Sequence, residues 1–354
     1  MKDYTVQREE VLLGSALKRL KRSKRKALQK KTLRRLLVGI SKSNKGNFLE
    51  DVKSVIIRLP ESFVLGDGST GAVKKINQLE KIFHTNKSVF VNMEKVKKID
   101  YCGLAALLAV MFKFRKKGIH FNGNFPQDMN ASQLVKKSGF LDKLFNDDVL
   151  KTIYNVNASN QFITQSDNLL FDLDLIDEKI IPEISDKIWG TKKRIPGLRI
   201  TLLELIDNTR THASGDESGE RWWVSINHDS VNKKVTFVFL DYGIGVFTSL
   251  SKAKKGRRKN FYEKLQRTLG TEASDEHLKA IVEVGQQSVT GDPNRGQGIH
   301  GIKLCCDRNQ ISGLKILSNY AFGDVEKAMY RKLDDNFDGT LFYWEICYST
   351  ENLD

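Results

Sequence analysis

Three polar side chains, Glu204, Asp207 and Asn208, interrupt the apolar stretch LRITLLELIDNTRTHAS. A helical period places Glu204 and Asn208, four residues apart, on one face. A carboxylate can accept a proton or orient a nucleophile, and amide and carboxylate oxygens bind hard cations. On its own the E-x-x-x-N pattern is common, and a solvated helix face explains it more often than a functional site does. The residues that follow decide between these interpretations.

Three further motifs contain glycine and come later in the chain. VTFVFLDYGIGV predicts an apolar strand that runs into D-x-G-x-G at Asp241, Gly243 and Gly245. GDPNRGQGIHGIKLCC is a glycine-rich loop that leads into an apolar helix, and GTLFYWEI starts a strand at Gly339 and Thr340. Glycine lets the backbone approach a ligand closely, and a helix N-terminus favours phosphate.

The order of these four motifs resembles that of the GHKL (Bergerat-fold) ATP-binding domain of gyrase B subunits, histidine kinases and anti-sigma factor serine kinases. The resemblance covers about residues 165–354. It implies an α/β sandwich, a mixed sheet with helices on one face, that binds ATP and Mg²⁺.

The resemblance also implies roles for individual residues. Glu204 is the candidate catalytic base, Asn208 the metal ligand and Asp241 the acceptor for the adenine amino group. The other residues implied to contact the nucleotide are Gly243, Gly245, Arg295, Gly296, Gly298, Gly301 and Thr340. Two departures stand out: His300 and a wider glycine spacing in the loop, and the lack of an H-E or H-D phosphoacceptor motif before the domain. A sensor histidine kinase of ordinary design is therefore disfavoured.

An earlier region, residues 47–156, alternates predicted strands and helices, which indicates an α/β layer structure. The segment VFVNMEKVKKIDYCGLAALLAVMFKFRKKG resembles the STAS domain of anti-sigma factor antagonists. Asp100, Gly103 and Leu104 match its D-S-S-G-L loop. Its last helix, L-x-x-x-G-L-x-x-x-F, is approximated by Gly139, Leu141 and Phe145.

In the STAS family a serine of this loop accepts phosphate from a partner kinase, but Tyr101 and Cys102 occupy those positions here. A phosphoserine switch is disfavoured, and Tyr101 is expected to be a packed loop aromatic rather than a phosphate acceptor. The resemblance leaves this domain a docking role toward a protein partner.

Residues 1–46 form a third region, a basic arm predicted to be helical. They contain 15 Lys and Arg and 3 Asp and Glu, and so carry most of the net charge of +15. Such an arm can pack on its own protein, bind nucleic acid through phosphates, or lie on an acidic partner or membrane surface. The lack of aromatic residues between Tyr4 and Phe48 argues against a stacking platform for single strands.

The cysteines and the hydropathy pattern indicate the compartment in which the protein is expected. Cys102, Cys305, Cys306 and Cys347 form no C-x-x-C pair, which disfavours a disulfide framework or a zinc site. The longest apolar run, Cys102–Phe112, is too short to span a bilayer, and the N-terminus has no apolar signal core. A cytoplasmic protein without a transmembrane segment is expected.

Three functions stay open at this point. The first is an ATP-dependent regulator or ATPase in which nucleotide controls partner docking. The second is a serine/threonine kinase of the anti-sigma type, and the third is a nucleic-acid-associated ATPase that uses the basic arm. Fold alone cannot choose among them, and the oligomeric state, a dimer included, is also open.

Overall fold

A computed structural model of the chain describes residues 54–140, 161–164, 175–212, 222–241, 243–253, 256–284 and 298–348. The basic arm, residues 1–46, lies outside the described residues. Within these ranges the protein is a mixed α/β structure with parallel and antiparallel sheets. No helix in this part of the chain is both long enough and apolar enough to cross a membrane.

The described residues from 54 to 140 are called the N-terminal unit. Its elements are β1 (Val55–Arg58), β2 (Ser62–Phe63), α1 (Thr70–Phe83), β3 (Val89–Asn92), β4 (Lys98–Ile99), α2 (Tyr101–Lys116), β5 (Phe121–Gly123) and α3 (Met129–Lys137). Strands β1, β3 and β5 form a parallel sheet in that order, and β2 pairs with β4, also in parallel. The alternation of strands and helices predicted from the sequence is therefore confirmed.

Two glycines of this unit mark where helices end. Gly118 follows α2 with φ +71°, a left-handed conformation that glycine adopts without strain. Gly139, with φ +77°, was expected inside one helix running from Ala131 to Phe145. That expectation is wrong, because α3 ends at Lys137 and the chain turns at Ser138 and Gly139. Leu141 and Phe145 lie outside the described residues.

The described residues from 161 to 348 are called the C-terminal unit. Its elements are β6 (Gln161–Thr164), a π-helical turn (Leu175–Ile180), α4 (Ile181–Trp189), α5 (Pro196–His212), β7 (Trp222–Asp229), β8 (Lys234–Asp241), α6 (Val246–Ser251), α7 (Arg257–Leu269), α8 (Asp275–Glu283), α9 (Gly298–Asp307), β9 (Ser312–Asp324) and β10 (Met329–Cys347). Proline stands in the first turn of both α4 and α5, where its missing N–H costs nothing.

The five strands of this unit form one sheet in the order β6-β7-β8-β10-β9. Every pairing described within it is antiparallel, whereas the sequence analysis expects a mixed sheet. Short connections explain the difference, because β7–β8 and β9–β10 follow one another with too few residues between them for a parallel crossover. Strand β6 precedes residue 165, so the sheet includes chain before the predicted domain start.

This large sheet is buried on both faces. Along β8, Phe237 and Phe239 pack with helices of the same unit, and the alternate residues Val238 and Leu240 pack with the N-terminal unit. The helix face is covered by apolar residues of α4, α5, α8 and α9. The opposite face receives α1 and α2. Helix α2 is therefore apolar on nearly all sides, since it lies between two sheets.

Specific contacts join the two units. The ring of Phe112 on α2 meets Trp223 edge-on at 4.7 Å between centroids. The side-chain amide of Asn77 on α1 donates to the Asn336 carbonyl oxygen at 2.6 Å. Gly68 of the N-terminal unit lies so close to β9 that a Cβ at this position would be 2.5 Å from the Phe322 side chain. One hydrophobic core therefore continues from one unit into the other.

This shared core predicts that Trp223→Ala will destabilise the whole chain. Trp223 is 2% exposed and packs on the N-terminal unit, so its truncation should lower the free energy of unfolding by about 3–5 kcal/mol. Urea unfolding followed by circular dichroism measures the change. The control is Val231→Ala, at a residue 91% exposed, which should stay within about 0.5 kcal/mol of wild type. An effect of Trp223→Ala as small as that of the control would mean that the units are not packed together.

Candidate functional site

Asp241 is the last residue of β8, and its side chain lies on the helix face of the large sheet. Strand alternation puts it on the same side as Phe237 and Phe239. Thr340 of β10 is its direct register partner. The Oδ1 atom of Asp241 is buried and has no hydrogen-bond partner among the described residues. A buried acceptor of this kind is costly unless a donor reaches it.

Burial also shifts the titration of this carboxyl. Desolvation raises the pKa of Asp241 to about 7, against a weaker opposing effect of the Gly243 backbone N–H, which donates to the carboxylate. The lack of a side chain at Gly243 makes room for the carboxylate, because a Cβ there would lie 3.1 Å from Asp241 Oδ1. The glycine expected to admit a ligand therefore also admits the Asp241 carboxylate.

Gly245 accommodates a side chain from another strand of the sheet. Its φ is +79°, and a Cβ at this position would lie 2.4 Å from Oδ1 of Asn319. The absence of a side chain at Gly245 thus accommodates Asn319 of β9, whichever ligand is bound nearby. Nothing in the sequence pattern marks Asn319, which follows Ser318 within the strand β9.

Thr340 belongs to a second small network with Ser318 of β9. The Ser318 hydroxyl donates to the Gly339 carbonyl oxygen at 2.9 Å and lies 3.1 Å from Thr340 Oγ1. The same Ser318 oxygen accepts the Val246 N–H at 2.9 Å. Ser318 and Thr340 are both buried. The network ties the start of α6 to β9 and to β10, which pairs with the strand of Asp241, and sequence reasoning missed Ser318 as it missed Asn319.

Glu204 lies on α5 and contacts the N-terminus of α9. The Gly298 N–H donates to Glu204 Oε2 at 3.1 Å, and Gly298 has φ +56°. Desolvation raises the pKa of Glu204, the Gly298 hydrogen bond opposes this shift, and the nearby Asp207 adds to it. A carboxylate with a raised pKa is a stronger base at neutral pH than an ordinary glutamate.

Other predicted site residues occupy varied positions. Asn208 is half-buried on α5, whereas Asp207 is exposed. Gly301 is buried within α9. Arg295 and Gly296 lie outside the described residues. The structure therefore brings together Glu204 with Gly298 in the helical layer, and Asp241 with Gly243 and Thr340 at the strand ends.

The N-terminal unit has its own polar centre at Asp100. Its carboxylate accepts N–H groups of Leu65 at 3.2 Å, Gly66 at 2.7 Å and Gly103 at 2.7 Å. The Asp100 side chain thereby caps α2 and holds the turn between β2 and α1. Burial raises the pKa of Asp100. Cys102 next to it is fully buried, and burial raises the pKa of its thiol well above the usual range. Tyr101 packs against the core, as expected.

Comparison with known proteins adds no assignment. No protein-family model matches the chain, and no curated protein matches it either. The function is therefore argued from the geometry of the site.

The raised pKa of Asp241 predicts how stability depends on pH. The unfolded chain loses this proton near pH 4, whereas the folded chain keeps it until about pH 7. The protonated Asp241 carboxyl therefore contributes fully to the free energy of unfolding at low pH. This contribution is lost as pH rises through about 7. Asp241→Asn keeps the shape without the titration, so its free energy of unfolding should fall less between pH 5 and pH 8 than that of wild type. Urea unfolding at both pH values measures it; parallel pH profiles would contradict the burial of this carboxyl.

Proposed function

We propose that the C-terminal unit is a GHKL-type ATP-binding domain and that its nucleotide, with Mg²⁺, lies on the helix face of the large sheet. The observation that carries the proposal is the buried Oδ1 of Asp241 at the end of β8, which has no hydrogen-bond partner among the described residues. A buried acceptor without a donor is rare in folded proteins, and a ligand that supplies an N–H removes the cost.

The base end of the site fits adenine. The exocyclic amino group of adenine is a hydrogen-bond donor, and Asp241 offers it an acceptor. Thr340 stands opposite on β10, and its hydroxyl is already oriented by Ser318. Gly243 leaves the space beside the carboxylate free of a side chain. These features support the roles that the motif resemblance implies for Asp241, Gly243 and Thr340.

The phosphate end fits the start of α9. This ten-residue helix begins at Gly298, and its N-terminal N–H groups and dipole favour an anion. The Gly298 N–H at present donates to Glu204, which shows that the position already attracts a negative oxygen. Arg295, Gly296 and Gly301 are proposed to complete the phosphate contacts.

Asn208 is the proposed protein ligand of Mg²⁺. The described residues contain no group of three or more His, Cys, Asp and Glu side chains suited to a metal. Mg²⁺ bound with a nucleotide needs few protein ligands, because phosphate and water oxygens supply the others. A single amide oxygen from Asn208 suits that coordination.

Glu204 is the proposed general base, so the protein is proposed to hydrolyse ATP or transfer its terminal phosphoryl group. When bound, Mg²⁺ supplies charge stabilisation at the phosphates. Glu204 orients the attacking water or hydroxyl and accepts its proton, and the desolvation that raises its pKa favours this role. Whether the acceptor is water or a protein side chain separates an ATPase from an anti-sigma type kinase.

The N-terminal unit is proposed to be a STAS-like regulatory module. Cys102, which stands in the phosphoserine loop of the family, is buried in this chain, whereas Asp100 and Tyr101 are half-buried. A partner kinase cannot reach a buried position, which supports regulation by docking rather than by phosphorylation.

We propose a cytoplasmic regulator in which nucleotide controls a docking surface for a protein partner. DNA-stimulated hydrolysis that requires residues 1–46 would instead favour a nucleic-acid-associated ATPase.

The proposed roles predict distinct kinetic effects for two residues of α5. Glu204→Gln removes the base but keeps the size of the side chain, so ATP binding should persist while turnover falls by about 10²–10⁴-fold. Asn208→Ala removes a metal ligand, so Mg²⁺-dependent ATP affinity should fall together with turnover. Calorimetry measures affinity, and phosphate release from labelled ATP measures turnover.

The matched control is Glu178→Gln, the same substitution at an exposed glutamate in the π-helical turn before α4. It should leave affinity and turnover near wild type. Full turnover in Glu204→Gln would reject the base, and no ATP binding by the wild-type chain would reject the proposed function.

A further inference from the structure

Asn319 of β9 makes four hydrogen bonds to one short segment on another element. Its Oδ1 accepts the N–H groups of Phe247 at 3.1 Å and Thr248 at 3.4 Å. Its Nδ2 donates to the Ile244 carbonyl oxygen at 3.0 Å and to the Thr248 hydroxyl at 3.1 Å. Asn319 is 3% exposed, so the whole amide is used inside the protein.

These contacts replace a missing helix cap. Gly245 stands at the N-cap position of α6 and has no side chain with which to satisfy the first N–H groups of the helix. Asn319 supplies that acceptor from 72 residues away along the chain. A cap from a neighbouring strand fixes the helix start relative to the sheet, which an ordinary cap from the same segment does not do.

The backbone on both sides is adapted to this contact. Gly245 has φ +79°, and a Cβ there would collide with the Asn319 amide at 2.4 Å. Asn319 itself has φ +50°, a left-handed conformation that asparagine tolerates better than most residues. Two neighbouring residues in uncommon conformations, held by surrounding structure, are a feature of functional sites.

The segment held by Asn319 is the turn that follows Asp241. Gly243 lies in that turn, and its N–H donates to the Asp241 carboxylate. Ser318, next to Asn319, binds Val246 at the other end of the turn. The position of the turn therefore sets the hydrogen bonding of the carboxylate.

We propose that Asn319 is a positioning residue that holds the Gly243–Gly245 turn against β9, so that Asp241 is aligned to recognise the adenine base. This inference rests on the proposed function for its ligand, and on the geometry of Asn319 for its mechanism. Asn319 does not itself touch the base; it acts through Gly243 and Gly245.

The test is Asn319→Gly in the full chain, because glycine keeps the left-handed backbone and removes only the side chain. Hydrogen exchange without nucleotide should become faster at the Phe247 and Thr248 amides. ATP affinity measured by calorimetry should fall about tenfold, the size expected for a lost cap, and the preference for ATP over GTP should shrink. A purely structural role would weaken both nucleotides equally. Asn319→Asp, which retains the acceptor oxygen, should recover part of the preference.

The control is Asn86→Gly, the same substitution in the same left-handed conformation (φ +55°) in the N-terminal unit. It should leave exchange at α6 and both affinities unchanged. A second variant, Gly245→Ala, should weaken ATP binding by displacing the Asn319 amide, and this loss should be smaller in the Asn319→Gly background. The cycle measures the coupling between the two residues, and Asn319→Asp takes the place of Asn319→Gly in it where the glycine variant is poorly folded.

The outcomes separate this inference from the proposed function. Unchanged exchange at Phe247 and Thr248 would overturn the capping role whether or not ATP binds. Faster exchange with wild-type affinity and preference would overturn the positioning role. No ATP binding by the wild type would remove the proposed function, and the base-recognition role of Asn319 with it, while the exchange result would still decide the capping.

Discussion

The burial of one antiparallel sheet on both faces is the constraint on which the rest of the structure depends. Strand β8 carries large apolar side chains in both directions, with Phe237 and Phe239 toward the helices and Val238 and Leu240 toward the N-terminal unit. A strand of this kind is stable only when both faces are covered. The packing of α1 and α2 on one face and of the helical layer on the other follows from that requirement. Polar side chains that could bind a ligand, such as Asp241, lie at the ends of the strands.

Asp241 shows how this arrangement connects stability with function. It continues the alternation of β8 onto the helix face, but it carries a carboxylate where the preceding residues carry aromatic rings. Its burial raises its pKa, and one of its oxygens has no donor in the part of the chain that the structure describes, so the fold tolerates a local cost at this position. Costs of this kind persist where a ligand or a reaction requires them. Asn319 and Ser318 then hold the adjoining turn in place from the next strand but one.

The sequence predicted the elements whose signals are local. Helix α5 begins at Pro196 and β8 ends at the D-x-G-x-G motif, because proline, glycine and apolar periodicity act over a few residues. The same local information could not identify Asn319 or Ser318, whose partners lie about 70 residues away and depend on the irregular register between β9 and β10. It also could not show that α2, apolar on most sides, packs on a second sheet, or that α3 ends before Gly139.

The central claim, that the helix face of the large sheet holds an adenine nucleotide, is tested most directly by a crystal structure of the full chain with Mg²⁺ and a non-hydrolysable ATP analogue. The account predicts the adenine amino group within hydrogen-bond distance, about 3 Å, of the now unpartnered Asp241 Oδ1, and the phosphates at the N-terminus of α9. A nucleotide bound at any other surface, with Asp241 Oδ1 still without a donor, would contradict it.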